Sequence, residues 1–227
     1  MALNKSEVEY VENYIERTGT NYIDVQMEVL DHVASAVEDI KDRDGAIDVK
    51  DAVQEVHKSF GIFGFDGFVN DVIHGMNEKY TKLFWSNFRS FLSLKYFPIL
   101  IIAVVLFYKI QVLVNNPNTI FAFSTICMLS FTGIKITMNS INKPYRRFLA
   151  YKVSNSYLAY ISLFFMIFNL LLKWVANVEY LKVNIQFLLA AVMLVLFIVY
   201  IVSGIKTANF GKKASQLLME KYRMLLT

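Results

Sequence analysis

Apolar positions recur along this chain with two different rhythms. Over the first third they fall three and four residues apart, the spacing of one face of an α-helix, with no run of strict alternation that would signal strands. The pattern predicts a first helix over 5–17, with Val8, Val11, Tyr14 and Ile15 as its stripe and Gly19 as its stop. A second is predicted over 21–42, carrying Tyr22, Val25, Val29, Val33, Ala36, Val37 and Ile40 on one face. A third, over 48–60, turns Val49, Ala52, Val53, Val56 and Phe60 inward and is closed by Gly61. Beyond the loop at 62–65, a fourth starts near 66 and is free to run on into the next segment. A head of about 75 residues buries only about 60 percent of its unfolded surface, so partner or membrane contact is expected to help hold it.

The second rhythm is no periodicity at all. Four long apolar runs, near 96–114, 119–138, 154–173 and 184–205, each approach the roughly 20 residues that a helix needs to cross the hydrocarbon of a bilayer. Asn115-Asn116-Pro117-Asn118 separates the first two as a tight turn, because proline lacks the donor that a continuing helix requires. The expected fold class is all-α, a small helical cytosolic domain plus a four-transmembrane-helix bundle. The expected division is an acidic helical head at 1–78, an interfacial amphipathic helix at 79–95, the four spans within 96–205, and a basic amphipathic tail at 206–227.

Charge sharpens this picture. Residues 1–80 hold seventeen acids against seven bases, whereas residues 81–227 hold two acids against sixteen bases. The net charge of +4 is therefore the residue of two opposed halves and is no nucleic-acid signature. Bases flank one side of the runs: Lys79, Lys82, Arg89 and Lys95 before the first, Lys143, Arg146, Arg147 and Lys152 between the second and third, Lys206, Lys212, Lys213, Lys221 and Arg223 after the fourth. Basic flanks stay cytoplasmic, which predicts a multi-pass inner-membrane protein with both termini inside. The polar, acidic start of the chain is unlike a cleavable leader.

Phe84, Trp85, Phe88, Phe91 and Leu92 recur at helical spacing opposite Lys79, Lys82 and Arg89, the layout of a helix lying on the inner leaflet. Membrane-interface residues are thus expected at Lys82, Trp85, Arg89, Lys95, Arg146, Arg147, Lys212 and Lys213, with anionic lipid as their partner. The tail could instead pack on the head. Within the runs, Lys109 and Lys135 lie near enough to the ends for their stems to reach the interface, and no run contains Asp, Glu or His. Cys127, the sole cysteine, is read as a packing residue.

The most distinctive segment is Asp24–Asp39, in which Glu28, Asp31, His32 and Ser35 stand at i, i+3, i+4 and i+7 and form one ridge. Three readings remain open for it. Glu28 and His32 can pair as a structural bridge while Asp31 or His32 bonds a neighbouring helix. Glu28, Asp31, His32, Ser35 and Glu38 can form a partner-binding surface. Glu28, Asp31 and His32 can begin a metal site if His57 or His74 completes it from another helix.

The stretch Glu28-Val29-Leu30-Asp31-His32, in which Val29 and Leu30 supply an apolar pair, is followed by Glu38 and precedes a helix ending in Phe60-Gly61. It resembles the HAAS family of bacterial alpha-helical signalling domains over about residues 5–75, and also the heads of small Bacteroidetes-type membrane proteins. The resemblance implies a cytosolic signalling head joined to membrane helices, acting with a regulator in trans.

No nucleophile elbow, phosphate-binding loop, His-Glu-x-x-His or dinucleotide fingerprint occurs in the sequence, so an enzyme is not expected and no cofactor is implied. The expected function is a membrane-anchored signalling or protein-interaction module whose acidic head binds a cytosolic protein, with a homo-oligomer left open. The alternative is a small four-helix transporter or channel subunit.

Overall fold

The computed structural model describes residues 2–17, 21–61, 65–114, 126, 130, 131, 133, 137, 141–160, 163, 166–168, 170, 179, 180 and 183–226. The described residues are helical apart from turns, short connections and one minimal antiparallel pairing. Helices α1 (Lys5–Arg17), α2 (Ile23–Arg43), α3 (Val49–Ser59), α4 (Asp66–Phe91) and α5 (Phe97–Val114) come first. A 3-10 turn at Lys143–Arg147 then leads to α6 (Leu149–Ser156) and a second 3-10 turn, Tyr157–Tyr160. Strands β1 (Glu179–Tyr180) and β2 (Val183–Asn184) pair Glu179 with Asn184 and Tyr180 with Val183, ahead of α7 (Ile185–Leu226). The chain divides into two compact units, 1–80 with 144–153 and 212–227, and 81–143 with 154–211.

The first unit is built on the predicted stripes. Val25, Val29, Val33, Val37 and Ile40 of α2 are buried with Val11 and Ile15 of α1 and with Val49, Ala52, Val53 and Val56 of α3. Burying a valine side chain contributes about 1.5–3 kcal/mol, so this seam is the main stabilising feature of the unit. Asp48 caps α3 by accepting the Val49 N–H at 2.9 Å. Gly61, with φ of 82°, ends it in a conformation that costs other residues a steric penalty. Phe60 is only half-buried, since it sits at the C-cap and meets Phe65 edge-on at 5.1 Å.

Two segments join this unit that the pattern of the head does not include. Phe148, Leu149, Ala150, Tyr151 and Val153, from the basic stretch between the second and third apolar runs, are all buried. The tail from Lys212 also belongs here, and it arrives as an unbroken continuation of α7.

In the second unit, Phe84 is buried, stacked on Tyr157 with ring centroids 4.5 Å apart and planes 5° from parallel, and met edge-on by Tyr200 at 5.1 Å. Leu158, Phe168, Ala190 and Phe197 form a buried cluster beside them. Asn184 caps α7, its Oδ1 accepting the Phe187 N–H at 3.1 Å.

Two helices, Phe97–Val114 and the Ile185–Lys221 part of α7, are long and apolar enough to cross a membrane. The first presents Ile99, Ile101, Ile102, Val105, Leu106, Ile110 and Leu113 outward, an apolar surface that water does not favour. The second predicted span falls largely, and the third in part, outside the described residues, as do Gly19, the turn at 115–118, Cys127 and Lys135; the residues described within those spans are helical apart from the 3-10 turn at 157–160.

Candidate interaction site

Helix α2 carries two kinds of acid. Glu28, Asp31, His32 and Ser35 are exposed, as the ridge spacing predicts, and His32 Nε2 stands 3.7 Å from Glu28 Oε1. The His32 ring meets Phe68 edge-on at 4.8 Å, and Ser35 Oγ donates back to the Asp31 carbonyl at 2.8 Å. Glu38 is drawn out of the row, because its carboxylate accepts the Leu3 N–H at 3.0 Å in a half-buried setting. His57 lies instead among rings, 5.8 Å from Tyr14 and 5.0 Å from Phe65. Among the described residues no three His, Cys, Asp or Glu side chains are grouped to hold a metal ion.

Asp24 is the exception. It lies one turn before Glu28 on the same face, since i, i+4, i+7 and i+11 align Asp24 with Glu28, Asp31 and Ser35. Unlike them it is buried, at 4 percent exposure. Its Oδ1 accepts the Leu149 N–H and its Oδ2 the Ala150 N–H, each at 2.8 Å, and Oδ1 also accepts the Val25 N–H at 3.2 Å. Leu149 and Ala150 open α6, where backbone donors have no intrahelical partner and the helix dipole favours negative charge. A carboxylate from a distant helix therefore does the work of an N-cap.

Burial pushes the Asp24 carboxyl above its ordinary value, while the backbone N–H groups pull it back. Tyr80, also buried, is raised to about 12 by burial and by the negative charge of Asp24. Lys152 bonds the Tyr22 hydroxyl and lies 5.0 Å over the same ring, which fastens the first turn of the short helix to the start of α2. At the other edge of the unit Lys41 pairs with Glu7, and this bond holds the Glu7 carboxyl below the usual range.

The bases expected at a membrane interface occupy several settings. In the first unit Arg146, Arg147 and Lys213 are exposed, and Lys212 lies 5.7 Å over the Tyr145 ring, whose hydroxyl accepts from Gln216 Nε2 at 3.2 Å. In the second unit Lys82, Arg89 and Lys95 are exposed, Lys95 over the Tyr96 ring at 5.5 Å. Trp85 is 48 percent exposed and Leu92 is exposed, whereas Phe84 of the same stripe is packed in protein. Its rings face Tyr157 and Tyr200, and neighbouring polar groups are paired through Thr81 with Tyr157 at 2.8 Å and Asn87 with Thr207 at 3.2 Å.

Sequence reasoning missed Asp24 because an acid in the first turn of a helix reads as an ordinary dipole partner. The available signal was its place beside Val25 at the edge of the apolar face, on a helix whose N-cap, Tyr22, supplies no side-chain bond.

Set against family models, curated proteins and solved structures, the chain matches none of them.

Proposed function

We propose that the chain is a four-span inner-membrane protein whose head, second inner loop and tail form one cytoplasmic interaction module. The observation that supports this reading is the pair of ties inside the first unit, Asp24 to Leu149 and Ala150, and Tyr145 to Gln216. Residues that touch lie on the same side of a bilayer, so each intervening stretch crosses an even number of times. Helix α5 lies between Asp24 and Leu149 and needs a returning partner, which the apolar run at 119–138 supplies. The apolar part of α7 lies between Tyr145 and Gln216, and the run at 154–173 supplies its counterpart. Basic flanks then set this side as cytoplasmic.

Within the module, the exposed row of Glu28, Asp31 and Ser35 suits a basic protein partner, and Asp24 at the end of that row fastens the loop that continues into the third span. Binding at the row is thereby placed one helical turn from a contact to the membrane helices' connecting loop. This agrees with the signalling role that the resemblance to HAAS heads implies. A photo-crosslinking side chain at Ser35, in the full chain in native membranes, tests the reading against the same group at Lys50 of α3. The expected result is a discrete adduct from Ser35 that Glu28→Lys with Asp31→Lys diminishes severalfold. Equal, unselective labelling from both positions would overturn it.

A further inference from the structure

Two segments remote in sequence bring bases to the first unit with no acid close beside them in the chain. Residues 144–153 contain Arg146, Arg147 and Lys152 and no Asp or Glu, and the first acid of the tail after Lys212 and Lys213 is Glu220. Tyr145 joins the two, its ring under Lys212 and its hydroxyl bonded to Gln216. Asp24, an acid that does reach this loop, is occupied by the Leu149 and Ala150 amides and buried among them. It fixes the backbone of the loop, on which Arg147 is exposed, as is Lys213 of the tail.

The position of these bases along the chain matches a headgroup layer. In the sequence Lys212 follows Ile205, the end of the last apolar run, by only seven residues. Headgroup regions add roughly 5–8 Å on each side of the hydrocarbon, so a long Lys or Arg stem there reaches phosphate. Tyrosine is also suited to that depth, with an apolar ring and a polar tip.

We propose that the surface around Tyr145, carried by Arg146, Arg147, Lys212 and Lys213, binds the phosphate of anionic phospholipids in the inner leaflet. This rests on the membrane reading above, and it assigns the loop and tail a ligand distinct from the protein partner of the acidic row. Selectivity comes from net charge: zwitterionic headgroups carry a compensating cation and anionic ones do not.

The test is the full chain reconstituted in vesicles of phosphatidylcholine with a minority of phosphatidylglycerol, with the lipids retained around the protein quantified by mass spectrometry. One base near an anionic surface is worth about fivefold in attraction. The wild-type chain is expected to enrich phosphatidylglycerol, and Arg147→Gln with Lys213→Gln to lower that enrichment by at least about fivefold. Arg147→Lys with Lys213→Arg, which keeps the charge, should retain it, as should Lys50→Gln with Lys58→Gln on α3. No enrichment by the wild type, or equal enrichment by the Gln variant, overturns the proposal. So does loss of enrichment in millimolar inorganic phosphate at constant ionic strength, which would mark a soluble-anion site. Failure of the chain to reconstitute at all, remaining soluble without detergent, would instead overturn the membrane reading, and the lipid site with it.

Discussion

Asp24 and Ala150 stand 126 residues apart in the chain and are joined by a 2.8 Å bond from the Ala150 amide to the buried carboxylate of Asp24. With the parallel bond from Leu149, this tie makes a loop between apolar segments part of the acidic head. Removing it leaves two buried backbone donors unpaired. Asp24→Asn keeps one carbonyl acceptor but turns an NH2 group toward the other amide, so it should weaken the loop's attachment by about 1–3 kcal/mol, and Asp24→Ala by more. Hydrogen exchange at Leu149 and Ala150 measures this, with α3 amides as the internal reference. Unchanged protection in Asp24→Ala would show that the carboxylate does not hold the loop.

The same carboxylate sets a pH dependence whose sign is fixed by burial. Asp24 holds a proton more tightly folded than unfolded, so its contribution to stability is greatest below the ordinary value of 3.8 and is lost as pH rises through its raised value. Glu7 runs the other way. Its carboxyl is lowered by Lys41, so its contribution is present above 4.5 and lost as pH falls through the lowered value. Asp24→Asn should remove only the first slope and Lys41→Gln only the second, in chemical-denaturation curves collected from pH 3 to pH 7.

Tyr80 adds a pH dependence in alkaline solution. Its hydroxyl is raised from 10.0 to about 12, so the unfolded chain loses that proton first and the unit loses stability as pH climbs between those values. Tyr80→Phe should flatten that part of the curve while leaving the acidic slopes in place. A Phe variant with the wild-type slope would place the alkaline sensitivity elsewhere.

Packing in the second unit turns on a glycine. A Cβ at Gly204 would stand 2.6 Å from Leu158 Cδ2 and 3.3 Å from its Cγ. Leu158 is itself held by Phe168, Ala190 and Phe197. Gly204→Ala should therefore destabilise the folded chain in detergent by about 1–3 kcal/mol, the cost of overpacking. Leu158→Ala should offset part of this in the double variant, giving a coupling of at least about 0.5 kcal/mol in a thermal-unfolding cycle. Strict additivity would mean that the two residues do not oppose each other.

Much of the architecture is legible in the sequence alone. The bounds of α1 to α3, the valine seam and the closure at Gly61 follow from local rules, namely three- and four-residue spacing, a capping Asp48 and a glycine after the last turn. The apolar character of α5 and α7 is likewise local. Less was legible where contacts join distant segments. Phe148, Leu149 and Ala150 lie among Arg146, Arg147 and Lys152, so their charged neighbours mask a buried patch. Phe84 belongs to a stripe that looks made for lipid, but its ring stacks on Tyr157, far along the chain. Of the ridge, spacing correctly placed Glu28, Asp31, His32 and Ser35 together, while Glu38 is engaged by Leu3 from a different part of the head. Asp24, the residue on which the loop attachment depends, shares their spacing but not their exposure, and spacing alone does not distinguish the two.

The claim that head, loop and tail share one side of the bilayer is tested most directly by labelling single cysteines in intact spheroplasts with a membrane-impermeant thiol reagent. The background is Cys127→Ser, and the probes are Ser35→Cys, Arg147→Cys, Lys213→Cys and Asn116→Cys. The account predicts labelling of Asn116→Cys from outside, and labelling of the other three only after the membrane is opened. Labelling of Ser35→Cys or Lys213→Cys from outside while Arg147→Cys stays protected would separate segments that the Asp24 and Tyr145 ties hold together, and would contradict it.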